Sequence, residues 1–415
     1  MWTKQAIQHT QYGDGAYGYL YRGDVVSLYE TLNTYSGKVS VIYLDPPFLS
    51  GGTYQYKVKV GEEGYEKGKP EITLPAFSDV YPNKAAYLSM IKPILTAARE
   101  LLSDDGSLFV HLDWRMSAYV RVLLDELMGE DQFVNEIIWI RETGGRATRY
   151  FSRKHDVILM YRKTRNAFFD ITQAPLSRSL SRRNHMKRSV DSDGRAYRSI
   201  KSGGKQYIYY DDAPVYPSDV WADVSHLQQK DPQRTGYDTQ KPVALLQRII
   251  KTTSRPGDLT ADLCFGSGTA PLVSAMEGRR FIGADLSKHA LSAAGKRLSA
   301  YGFHMVREAN MDEAYPEADI MSGIGLYTLS LTRFINPGIT RHVPETYLEN
   351  PLDTVDQWAA GFIKDGVFRA YARSVRSKLT PKLAAELTIP MLSGNIAIEI
   401  IDCLSDKHIY TYRTE

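Results

Sequence analysis

Twice in this chain an apolar, β-branched run passes through a turn into a helical repeat, and that rhythm restricts the fold more than any other feature. Val39-Ser-Val-Ile-Tyr-Leu44 is the first run and Leu259–Cys264 the second. Both are nearly continuous in apolar residues, as strands are when helices cover both faces of a sheet. After the first run, Leu88, Ile91, Leu95 and Ala98 predict an amphipathic helix over 84–102, stopped by Asp104-Asp105-Gly106. Strands are predicted at 107–112, 133–140 and 156–161, with a helix over 116–128. From Thr239 the rhythm resumes with Pro242 in the first turn of a helix, a strand at 280–286 and a helix over 288–298. The expectation is an α/β fold with a mostly parallel, helix-covered sheet.

Elsewhere the pattern is less regular. Ordered structure is expected to begin at Gly23-Asp24, and residues 49–81 read as a long mobile loop. Between 163 and 234 the alternation fails, which marks an insertion into one sheet, with a hairpin expected around 196–210. Beyond 302, helical patterns at 352–362, 367–376 and 382–387 precede a terminal hairpin at 396–401 and 409–412. Two cysteines, Cys264 and Cys403, make neither a disulfide framework nor a zinc cluster. The chain shows no signal-peptide pattern and no apolar run of membrane-spanning length, so a cytoplasmic protein without a membrane partner is expected.

Asp262-Leu-Cys-Phe-Gly-Ser-Gly-Thr269 joins a strand to a helix. Gly266 and Gly268 let the backbone turn sharply and approach a ligand, which the free N–H groups of the helix then face. Asp285, at the end of the next strand, suits the two hydroxyls of a ribose. A third glycine of the dinucleotide fingerprint is absent, as is GxxxxGK[ST]. What remains is a nucleoside-type ligand without a pyrophosphate, with S-adenosylmethionine the leading candidate. Asp45-Pro46-Pro47-Phe48 ends the first strand. Two prolines remove two backbone donors and leave carbonyls free, and a carboxylate beside them suits an exocyclic amine with two N–H donors. Phe48 offers a face for stacking on a planar base.

On these blocks the chain resembles the amino-group DNA methyltransferases that modify adenine N6 or cytosine N4, in the permuted β-class order. Further matching blocks are Gly23-Asp24, Gly106–Asp113, Asn135–Trp139, His155–Tyr161, Arg234–Pro242 and Gly283-Ala-Asp285. The resemblance implies a Rossmann-like methyltransferase sheet with the catalytic half first (1–162), an inserted target-recognition region (163–234), a cofactor-binding half (235–302) and a C-terminal accessory domain (303–415). It implies metal-free methyl transfer from S-adenosylmethionine to adenine N6 in duplex DNA, with Asp45, Pro46, Pro47 and Phe48 catalytic and the base flipped out. Asp in place of Ser before the prolines favours adenine. Around the cofactor it places Asp24, Asp45, Lys241, Asp262, Phe265, Gly266, Ser267, Gly268, Thr269 and Asp285, with Lys241 toward the methionine carboxylate. Tyr161 reads either as the opposite wall of the base pocket or as a strand-end aromatic, and His111 and Asp113 as hydrogen-bonding residues near the cleft.

Leu263 and Cys264 stand where the family commonly has Pro and Phe. They keep open a DNA-binding regulator that has lost its cofactor, beside N4-cytosine and RNA-adenine methyltransferases. Restriction–modification implies a cognate restriction endonuclease as a further partner, in the cytoplasm of a bacterium or archaeon or in a phage-encoded system, close to the nucleoid; a homodimer stays open. The overall charge of +3 conceals a segregation. Residues 141–205 hold 17 Lys and Arg against 5 Asp and Glu, a net +12, leaving −9 for the rest. Aromatic residues interleave with this block, as in a nucleic-acid surface, and Arg178, Arg182, Arg183, Lys187 and Arg188 are the phosphate candidates.

Overall fold

The computed structural model describes residues 1–65, 71–141, 147–176 and 188–412. Within them Gly18–Arg22, Arg280–Asp285, Leu259–Asp262, Val39–Leu44 and Leu102–Leu112 lie side by side, each parallel to the next. His155–Arg162 and then Phe133–Ile140 continue the sheet antiparallel beyond Leu102–Leu112. The parallel strands carry their carboxyl ends to one edge, where open α/β sheets bind ligands.

Alternation along the first apolar run assigns its two faces. Ile42 and Leu44 pack with Tyr87, Ile91, Leu95 and Ala98 of helix Lys84–Leu101. Val41 and Tyr43 face the other way, onto Leu245, Leu246, Ile249 and Ile250 of helix Val243–Thr253. Each such side chain, fully buried, contributes roughly 1.5–3 kcal/mol, which ties both helices to one strand. Asn83 starts the first helix by accepting the Ala86 N–H at 2.9 Å. Pro242 caps the second.

Three expectations are corrected. The N-terminal residues are ordered strands: His9–Tyr12 lies between Phe303–Val306 and Val367–Val375, and Trp2–Gln5 pairs with Lys407–Tyr412. Residues 49–81 hold a hairpin of Thr53–Val58 with Ile72–Ser78, in which Tyr56, Val58 and Ile72 are buried. Its period-two alternation is hidden among Lys, Gly and Glu. The helical patterns beyond 352 are strands, Val355–Lys364, Val367–Val375 and Glu386–Pro390. Ala359 packs into one core while Trp358, Ala360 and Phe362 pack into another. A strand covered on both faces loses its alternation, and periodicity then cannot tell it from a helix.

The terminal hairpin is present as Asn395–Asp402 with Lys407–Tyr412. Together these strands extend the central sheet to fifteen among the described residues. In the insertion, Ala196–Ser202 and Lys205–Tyr210 form the expected hairpin, turned by Gly203 and Gly204 at φ +56° and +75°. Arg188–Val190 adds a third strand.

Candidate active site

Asp45 and Asp262 stand at the ends of adjacent parallel strands, and the turns after them build a shared wall. On one side lies a cavity of about 430 Å3 lined by Asp24, Asp45, Lys241, Asp262, Phe265, Gly266, Ser267, Thr269 and Asp285, among others. On the other lies one of about 330 Å3, reached by Pro46, Phe48, Asp113, Arg141 and Asp156. Asp45, Pro47 and Lys241 line both.

The glycine loop is shaped by two left-handed residues. Gly266 has φ +50° and Gly268 φ +72°. A Cβ on Gly268 would meet the Ala294 Cβ at 2.5 Å, so this glycine serves helix packing and does not line the cavity. The Asp285 carboxylate closes the loop by accepting the N–H groups of Gly266 at 2.8 Å and Ser287 at 2.9 Å. Burial nevertheless pushes its carboxyl up to about 6. Burial raises the Asp262 carboxyl well above the usual range, with Asp45 and Asp285 adding to it. Burial also raises the Cys264 thiol, with the neighbouring Asp262, Asp285 and Asp45 adding to it. Asp24 accepts the N–H groups of Val26 and Ser27 at 3.0 and 2.7 Å, and the Ser27 contact leads in lowering its pKa. Asp24 and Asp285, with Asp45 paired to Lys241, give this cavity an acidic lining suited to a cationic ligand.

The Asp45-Pro-Pro-Phe48 turn is held from outside. The Pro47 carbonyl accepts the Tyr87 hydroxyl at 2.7 Å, so of the two proline carbonyls it is that of Pro46 that stays available. Buried Asp79, at the foot of the hairpin, accepts the N–H groups of Phe48, Leu49 and Ser50 at 3.1, 2.8 and 2.9 Å and the Ser50 hydroxyl at 2.6 Å. This clamp holds Leu49 at φ +59°, a left-handed conformation that side chains resist. Lys241 contacts one Asp45 oxygen, while Oδ1 is buried without a hydrogen-bond partner among the described residues. Lys241 Nζ also lies 5.5 Å from the centre of the Phe48 ring. Beneath that ring His111 stacks at 6.0 Å, held by the Tyr43 hydroxyl at 2.8 Å and by Asp156 at 3.1 Å.

Of the other candidates, Asp113 and Lys241 reach the cavities and Tyr161 does not. Tyr161 is fully buried with its hydroxyl on Asp125 at 2.6 Å, a strand-end aromatic that lines neither cavity. Asp113 bonds the Arg115 N–H at 2.8 Å. Lys241 rests on Asp45. Arg188 is exposed on its short strand, 2.8 Å from Asp211, and Arg178, Arg182, Arg183 and Lys187 lie outside the described residues. The sequence did not signal Asp79, or Phe77, Tyr81 and Tyr237, which wall the first cavity with aromatic rings.

The family model described as DNA methylase, of the N6/N4 type, matches residues 39–296, which hold both turns and nearly all of both cavity walls. The chain belongs to the DNA methylase family. Curated relatives include the Type II methyltransferases M.EcaI of Enterobacter cloacae, 24% identical over 63% of this chain and 65% of its own length, and M.HpaI of Haemophilus parainfluenzae, 25% identical over 66% and 74%. The EcoPI Mod subunit of Escherichia phage P1, a Type III restriction-modification enzyme, is 28% identical over 48% of this chain and 36% of its own length. The chain thus spans less than two thirds of M.EcaI and about a third of the Mod subunit. Among solved structures, the cytosine-N4-specific PvuII DNA methyltransferase is 16% identical over 69% of this chain and 87% of its own, with a TM-score of 0.45. The M1.HpyAVI–SAM complex is 17% identical over 68% and 98%, with a TM-score of 0.39. Among the described residues of this DNA methylase family member, no helix is long and apolar enough to cross a membrane.

Proposed function

We propose that the chain transfers a methyl group from S-adenosylmethionine to the exocyclic N6 of an adenine flipped out of duplex DNA. The observation that carries this reading is the meeting of two cavities at Asp45, one acidic and walled by the glycine loop, the other floored by the stacking face of Phe48. S-adenosylmethionine supplies an electrophilic methyl group on a sulfonium centre. Its positive charges match the carboxyl groups of the first cavity, and Asp285 and the glycine loop are the residues that would hold its nucleoside part.

From the second cavity, Asp45 Oδ1 and the Pro46 carbonyl accept the two N–H bonds of the amine. That pairing localises the nitrogen lone pair and aims it across the wall. Lys241 pairs with Asp45 from the side away from Oδ1, and Phe48 stacks on the base against the buried His111. The relatives' names carry restriction–modification systems, and we place this chain in the same setting, with a cognate nuclease as counterpart.

Incubation with duplex DNA and S-adenosylmethionine, followed by mass analysis of the nucleosides, is expected to yield N6-methyladenine. N4-methylcytosine in its place would overturn the choice of base, and no methylated base at all would overturn the activity. A second expectation concerns pH. The Asp285 carboxyl changes charge near pH 6, and only its ionised form accepts both hydroxyls of a ribose well. Cofactor affinity should therefore weaken as pH falls through about 6. The free fold responds with the opposite sign, because a raised carboxyl contributes stability at low pH that is lost as pH rises through its folded value. Calorimetric titration from acid to neutral pH checks this, and a flat affinity would remove Asp285 from the ribose.

A further inference from the structure

Another cavity, of about 730 Å3, adjoins the target side of the site: Tyr54, Arg234 and Asp238 line both. Distant parts of the chain build it. The Thr53–Val58 strand and the residue just beyond bring Lys57 and Lys59, the end of helix Lys288–Arg297 brings Arg297, and the C-terminal region brings Arg376 and Lys378.

Arg297 is the informative residue. Its Nη1 donates to the Thr269 hydroxyl at 2.7 Å and to the Ser267 carbonyl at 3.1 Å, so one arm of the guanidinium grips the glycine loop from behind. Among the described residues no carboxylate lies within ion-pair distance of it, and burial alone lowers its pKa to about 10. A cation held in a low-dielectric wall without a counter-charge is costly, and a guanidinium fork matches a phosphate in shape and charge.

The other charges around the cavity do not cancel it. Lys296 is neutralised by Asp356, and Arg376 spends its guanidinium on the carbonyls of Val355, Pro381 and Leu352. Glu71 stands 3.8 Å from Lys57, and the Asp238 carboxylate accepts the Gln55 N–H at 3.0 Å. Lys59, with its ammonium 5.4 Å from the centre of the Tyr65 ring, and exposed Lys378 remain as cations at the rim.

We propose that this cavity receives a backbone phosphate of the DNA beside the target nucleotide, held by Arg297 with Lys59 and Lys378 at the rim. The inference rests on the methyltransferase reading and deepens it. It gives the C-terminal region a part in holding DNA, through Lys378. It also seats the phosphate on the guanidinium that braces Ser267 and Thr269, so the DNA grip and the cofactor loop share one side chain.

The test is a Lys59→Glu/Lys378→Glu double variant, both positions outside the catalytic turn and the glycine loop. Duplex affinity is read by fluorescence anisotropy from about 50 to about 200 mM salt. Affinity should fall about tenfold or more at the low end, and the slope of log affinity against log salt should become shallower by about 1, as for one lost phosphate contact. Melting temperature and cofactor affinity without DNA should be unchanged. Unchanged affinity and slope in a variant that still methylates overturns the phosphate site and leaves the methyltransferase reading standing. An unsubstituted protein that methylates no DNA overturns the reading itself. Tight binding of inorganic phosphate alone, with DNA affinity untouched by the double substitution, assigns the cavity to a free anion and overturns the DNA assignment.

Discussion

Asp45→Ala is expected to lower methyl transfer about a thousandfold, about 4 kcal/mol in the barrier, the scale of removing one preorganised polar group from a water-excluded site. The substitution deletes the buried oxygen that has no partner among the described residues and that is proposed to accept from the substrate amine. It also leaves Lys241, largely buried, without its carboxylate, so a moderate fall in melting temperature should accompany the loss. Asp45→Asn separates the two effects. It keeps the shape of the turn and one acceptor but removes the charge, and it should retain the fold while losing most of the activity. Duplex affinity, which depends mainly on phosphate contacts, should survive in both variants. Near-normal turnover in Asp45→Ala would end the catalytic assignment.

Asp79→Ala should be almost as damaging to turnover, through the turn that its carboxylate holds. Four hydrogen bonds converge on this carboxylate, three of them from the consecutive backbone N–H groups of Phe48, Leu49 and Ser50, at and just after the Asp45–Phe48 turn. Their loss leaves buried donors unsatisfied and removes the restraint on Leu49, at a cost of about 3 kcal/mol in stability. The turn should then relax, and a displacement of about 1 Å at the reacting atoms costs about a hundredfold in rate. Because both oxygens of Asp79 are taken up by the turn, kcat should fall while KM for DNA and the calorimetric affinity for S-adenosylmethionine stay close to normal. A rise in KM with kcat preserved would show that the clamp governs binding instead. Asp79→Asn should fare little better, since an amide presents donors where the turn needs acceptors.

Asp79 also marks where the sequence stops being legible. The residues of the two turns announce their chemistry locally: prolines that remove donors, glycines that permit left-handed φ, and carboxylates at strand ends can each be read from a few neighbours. The parallel strands and their helices were legible for the same reason, since one period decides each element. Asp79 belongs to a hairpin whose alternation is diluted by Lys, Gly and Glu, and its partners lie about thirty residues upstream. Arg297 looks like any basic residue closing a helix until the glycine loop folds against it. The C-terminal strands failed differently. Val355–Lys364 is buried along most of its length, and a residue pattern without a polar face carries no period to read.

The path of the outer strands sets a timetable for the making of this protein. His9–Tyr12 leaves the ribosome early, yet both its neighbours, Phe303–Val306 and Val367–Val375, come hundreds of residues later. Until they arrive, that strand waits with unsatisfied backbone groups on either edge, while Val39–Leu44 can already zip onto Leu102–Leu112. Closing such distant pairings is slow, so completion of the sheet, and not the assembly of the catalytic turn, should limit refolding. Synthesis interrupted before residue 367 would release a chain whose glycine loop is made but whose His9–Tyr12 strand keeps one raw edge, a species prone to aggregate.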